Sequence, residues 1–178
     1  MQMQTTQNHF LVAEWRRLGA QEQKELARDM ARAVLQGAVG RPEEEELAQA
    51  LRFRAAALRR SSEESLTAAI RTGLVRLAAR PFLDLLVQVH FSSRAEVLSR
   101  TYDLLGVEHA GIDIEDAVLN APLDEGRVRA AFAGVATSSE SVRLELCLVV
   151  MSHLCSPAWQ AGVAAALDAL RHAGNASN

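Results

Sequence analysis

Aromatic side chains are scarce in this chain of 178 residues: five Phe, two Trp and one Tyr. Leucine, valine and alanine must therefore fill the interior, a composition suited to helices packed at close spacing. Lysine is scarcer still. Lys24 is the one lysine among 19 basic residues, and the arginine bias matches a GC-rich, bacterial-like coding composition rather than a chemistry. Cysteine is limited to Cys147 and Cys155. On one helix these would lie about 12 Å apart along the axis, too far for a disulfide. Reduced thiols in a cytoplasmic protein are the expectation.

No apolar run is long enough to span a bilayer, and the longest, Leu144 to Met151, contains Glu145. Met1 to Asn8 is polar and lacks the basic-then-apolar order of a secretory signal. No membrane association is expected. The formal charge of −3 opposes general attraction to nucleic acid or anionic membranes. Catalytic signatures are missing as well: no glycine-rich phosphate loop, no Gly-x-Ser-x-Gly elbow and no His-Glu-x-x-His motif occurs.

What is present is helical periodicity with matching caps. The pattern predicts a short first helix from Phe10 to Leu18, then one over Gln21 to Gln36 that Gly37 stops. Pro42 and Glu43 to Glu46 open a helix carrying Leu47, Leu51, Ala55 and Leu58, which ends near Arg59 and Arg60. Ser61 with Glu64 forms a capping box for a stripe of Leu66, Ile70, Leu74 and Leu77, up to Arg80. Ser93 with Glu96 does the same for a helix that Gly106 ends. Asp113 is read as the cap of Ile114 to Leu119. Asp124 to Ala136 makes another helix, and Ser138 or Ser139 caps Glu140 to Leu154, apolar almost all round and hence central. Ser156 and Pro157 start the last helix, which Gly174 ends.

Residues 82–91 and 143–151 also alternate as strands would. Periodicity alone does not arbitrate such short runs, but neither has a hairpin turn beside it, which favours helix. The fold class expected is all-α, a compact domain of about eight or nine amphipathic helices over residues 9–174. Residues 9–37 are able to form an appended arm, and 1–8 and 175–178 are expected to be flexible. The stretches from Leu83 to Gly111 and from Leu144 to Gly174 each end in His-Ala-Gly and suggest a repeated helical hairpin. The pairing of an apolar helix with Gly111-Ile112-Asp113-Ile114-Glu115 resembles the helical domains of the tellurite-resistance family over roughly Ser61 to Gly174. Ala110 stands where that family has an acidic residue before glycine, so no metal site is carried over and membership is not assigned.

Three constellations hold candidate chemistry. His109, Asp113, Glu115 and Asp116 combine a loop imidazole with carboxylates, the types used for cation binding or acid/base work; caps and dipole partners are the ordinary alternative. Cys147, Met151 and Cys155 recur every four residues, soft donors on one stripe that equally suits a core. Arg52, Arg54, Arg59, Arg60, Arg71, Arg76 and Arg80 concentrate positive charge over helices 43–80.

The function expected is a non-catalytic helical protein-interaction module: an adaptor, regulator or assembly subunit that binds a protein partner or itself. Arg52, Arg59, Arg60, Arg71 and Arg76 are its interaction residues, with no catalytic or metal residues and no cofactor. One alternative is a metal- or small-molecule-binding protein with a site near His109 and Asp113. The other is a nucleic-acid-associated subunit using the arginine-rich helices.

Overall fold

Helix stops organise the architecture. The computed structural model describes residues 11–175, with the side chains of 79 and 173–175 left aside. The expected flexible ends, 1–8 and 175–178, lie outside the described residues except for Asn175, which is helical, and Phe10 lies outside as well. The fold is all-α: among the described residues no strand forms, and one isolated bridge joins Ala110 to Asp113. Both ambiguous runs are therefore helical. The chain divides into two compact units, one up to Ser93 and one from Arg94.

In unit one, residues 11–17 (α1) are helical and bury Leu11 and Trp15. Helix α2 (Ala20–Leu35) is the centre: Leu26, Ala27, Met30, Ala31, Ala33 and Val34 are buried, and the alanines let its neighbours approach closely. It ends in a Schellman turn. Gly37 takes φ +73°, its N–H donates to Val34 O at 3.0 Å, and the N–H of Ala38 donates to Ala33 O at 2.9 Å.

Helix α3 (Arg41–Leu51) has Pro42, Glu43 and Glu44 in its first turn, as expected, but it does not run on to Arg60. The same turn recurs at its end: Arg52 takes φ +63°, its N–H donates to Gln49 O at 3.1 Å, and that of Phe53 to Ala48 O at 2.8 Å. Only a four-residue helix, α4 (Ala55–Leu58), follows. Helix α5 (Glu63–Gly73) is capped by Ser62, which accepts from Ser65 N at 3.2 Å. Ser61, the expected cap, instead donates to Ala57 O at 3.0 Å.

The stripe expected to reach Arg80 breaks at Gly73, which passes into a 3₁₀ turn (Leu74–Arg76). A Cβ there would stand 2.7 Å from Leu51 Cδ2, so a larger residue would push that side chain aside at the end of α3. Helix α6 (Ala79–Ser92) then buries Phe82, Leu85, Leu86 and Val89. Pro81 sits in its first turn, where a missing N–H costs no intrahelical bond.

Unit two starts with α7 (Ala95–Leu105), and Gly106 at φ +73° ends it as expected. Ser93 does not cap it: Arg94 holds that position, and its side chain makes no capping bond. Asp113 is no cap either, because α8 (Asp116–Leu119) begins later, behind Glu115. Asp113 instead exchanges backbone hydrogen bonds with Ala110 across Gly111 and Ile112, at 2.9 and 3.2 Å. Asp124 does cap α9 (Glu125–Val135), accepting from Arg127 N at 3.1 Å.

Helix α10 (Ser141–Leu154) follows Glu140, not a capping serine, and is buried continuously from Leu144 to Met151. Helix α11 (Gln160–Asn175) runs through Gly174 rather than stopping there. Val128, Phe132, Leu144, Leu148, Trp159, Val163 and Leu170 form the heart of this core. The two His-Ala-Gly stretches differ locally: α6 and α7 belong to different units, whereas α10 and α11 pack together.

Candidate functional site

The backbone sorts the candidate arginines into two groups. Arg59 is held in unit one by a two-point contact with Glu44, Nε to Oε1 at 2.9 Å and Nη2 to Oε2 at 2.7 Å. That carboxylate raises the Arg59 pKa above its ordinary value, through hydrogen bonding first and charge second. Arg28 and Arg32 of α2 share Glu63 at 3.6 and 3.1 Å, and Arg80 lies 4.0 Å from Asp84.

Arg52, Arg54, Arg60, Arg71 and Arg76 are exposed and form no salt bridge or side-chain hydrogen bond among the described residues. Four of them stand at or just beyond the C-terminal ends of α3 and α5. Arg52 follows the last turn of α3, and Arg54 begins α4 two residues later. Arg71 lies in the last turn of α5. The Arg76 guanidinium reaches back to Gly73, where a Cβ would meet its Nη2 at 3.1 Å and Ala50 O at 3.6 Å. This edge therefore lies where α3 and α5 both end, and helix C-termini favour positive charge. Arg60 is not part of it, since it precedes α5 and the helix separates it from Arg71 by roughly 15 Å.

Arg52 carries a second peculiarity. It is the single non-glycine residue with positive φ among the described residues. A β-carbon there opposes the local backbone, so the residue carries a conformational cost.

In unit two the acidic candidates divide. His109 binds forward, Nδ1 to Gly111 O at 2.7 Å, and Nε2 lies 3.2 Å from Asp103 Oδ1. A neutral imidazole can donate to only one of these oxygens. The ring stands 5.4 Å from that of Tyr102, which also meets Trp159 edge-on at 6.3 Å. Burial, with lesser contributions from Cys147 and Asp113, pushes the Tyr102 phenol up to about 12.

Around His109 a recess of about 390 Å³ is lined by Glu108, Asp113, Ile114, Glu115 and Val118. The Asp116 of the expected cluster is not in its lining. Among the described residues no group of three or more His, Cys, Asp or Glu converges as metal ligands would.

The sulfur stripe belongs to the interior. Cys147 is fully buried, and burial pushes its thiol up to about 12 against the opposing hydrogen bond of Thr101. Cys155 lies just beyond α10 in extended backbone, so the helical spacing of the three sulfurs stops short of it.

The chain matches no family model, no curated protein and no solved structure. Sequence reasoning named Arg52, Arg71 and Arg76 but not Arg54 as interaction residues, and counted Arg59 among them although Glu44 occupies it. It also overlooked Glu108, whose only sequence signal is its place beside His109.

Proposed function

We propose that this chain is a non-catalytic protein-interaction module that presents the edge formed by Arg52, Arg54, Arg71 and Arg76 to an acidic protein surface. The observation that carries the reading is the contrast within unit one. Arg28, Arg32 and Arg59 meet carboxylates across helix boundaries, while these four guanidiniums meet none among the described residues. Exposed guanidiniums present planar donor forks that match carboxylates in pairs.

A protein fits this edge better than a nucleic acid. Single-strand binding draws on aromatic platforms as well as charge, and Phe53 is the one aromatic residue between Arg52 and Arg76. The net charge of −3 also opposes phosphate backbones at a distance. A cytoplasmic location accords with two free cysteines, and no helix among the described residues is long and apolar enough to cross a membrane.

Binding of the full chain to polyglutamate and to duplex DNA at matched low ionic strength tests the reading. Polyglutamate should bind, and R52E/R71E/R76E should remove that binding while circular dichroism stays unchanged. No binding of polyglutamate, or preference for DNA, would overturn it.

A further inference from the structure

Charge is divided unevenly along the chain. Up to Ser93 there are 13 basic and 11 acidic residues, and from Arg94 onward six basic and 11 acidic. Between Arg100 and Arg127 the sequence holds seven carboxylates and no lysine or arginine. Glu108, Asp113 and Glu115 in that stretch are exposed, and their side chains form no ion pair or hydrogen bond among the described residues. All three line the recess beside His109, and Ile114 and Val118 add apolar wall to it.

That lining suits an arginine side chain. The guanidinium wants carboxylates with unused lone pairs, and its aliphatic stem wants apolar surface. We propose that the arginine edge of one copy docks on the acidic recess of a second copy of this chain. The inference rests on the reading of the arginine edge given above and names its partner. Each chain supplies one cationic edge and one anionic recess, so the matching surface is present at the same concentration as the edge. Such a contact joins two different surfaces, and a chain carrying both is able to bind a copy at each.

Light scattering and sedimentation of the full chain over a range of concentrations, at low and at physiological ionic strength, provide the test. The wild-type chain should self-associate, more weakly as salt rises. R52E/R71E/R76E and E108K/D113K/E115K should each weaken association at least about tenfold. The neutral variants R71Q and E115Q should act in the same direction with smaller effect.

An equimolar mixture of the two reversed proteins should form a one-to-one pair, because one retains the recess and the other the edge. A wild-type chain that stays monomeric at low salt overturns the proposal, as do reversals that leave association unchanged or a mixture that fails to pair. Polyglutamate binding separates the two failures: a monomer that still binds it loses the second copy but keeps the arginine edge.

Discussion

In unit one, the pairs of Arg59 with Glu44 and of Arg28 and Arg32 with Glu63 lie toward the surface, while Glu14, 3.1 Å from Arg17, and His90 are buried. In unit two, ionisable groups are folded into the core. Glu145 is 1% exposed on a helix buried all round and accepts from Arg171 Nε at 2.7 Å. Cys147 follows on the same helix, and Tyr102 is buried in the same core. Exposed pairs contribute little to stability and are screened by salt, so the charges of unit one can serve association at small cost to folding. Buried groups titrate only with difficulty, and their protonation is coupled to folding. The surface pairs of unit one are available, whereas Glu145, Cys147 and Tyr102 inside unit two are structural.

Alkaline pH should give the largest separation between the units. Burial raises the Cys147 thiol from 9.0, and the Tyr102 phenol from 10.0, each to about 12. An acid whose folded pKa is raised binds its proton more tightly when folded. Its contribution is therefore whole below the unfolded pKa and is lost as pH climbs toward the folded value. For Cys147 the loss runs from about pH 9 to 12 and amounts to about 4 kcal/mol by linkage.

Trp159 is buried in unit two and Trp15 in unit one. Variants retaining one tryptophan, W15F or W159F, report on each unit by fluorescence. The Trp159 signal should fail first as pH rises, and Cys147→Ala should delay that failure. Simultaneous loss of both signals would erase the contrast.

Arg171→Leu comes next. It removes the 2.7 Å hydrogen bond that Arg171 Nε gives the buried Glu145 carboxylate, and breaking a buried pair costs about 3 kcal/mol. Urea unfolding followed through Trp159 should show the loss. The double variant E145L/R171L should recover much of it, since an apolar replacement of both partners also removes the buried carboxylate. A double variant as unstable as the single one would place the defect in packing instead.

The three Schellman turns show what was legible in sequence and what was not. Gly37 and Gly106 were read as stops because glycine has no β-carbon to oppose positive φ. Arg52 makes the same turn with φ +63°, and nothing in its residue type announces it, so the helix was read through to Arg60. Gly73 was passed over for the converse reason. Its constraint is Leu51, a contact made across the fold rather than along the chain.

Helix α10 was legible because a helix apolar on every side has few places to be except inside. Its neighbour in the site was not. Asp113 looked like a cap, but the Ala110–Asp113 bridge delays α8 and frees its carboxylate to face the recess. Which arginines are occupied likewise depends on Glu44 and Glu63 meeting Arg59 and Arg32 across 15 and 31 residues of chain.

Arg52→Gly separates folding from association at a single residue. Glycine takes the left-handed turn without the β-carbon penalty of about 1 kcal/mol, so the variant should be as stable as wild type or up to that amount more stable. Self-association should weaken in the same protein. Denaturation and light scattering on one sample check both signs, and unchanged association would remove Arg52 from the edge.

The smallest effect concerns the cap that sequence misplaced by one residue. Ser62 accepts from Ser65 N, and in unit two Asp124 plays the same part for Arg127 N. Loss of either should cost about 1 kcal/mol. Ser61 only donates an exposed bond to Ala57 O, at the end of a four-residue helix, so Ser61→Ala should cost less than Ser62→Ala. Paired urea curves for the two serine variants, read through Trp15, decide the matter. Equal costs would mean that the capping box read from Ser61 and Glu64 contributes in solution as much as the bond that Ser62 makes.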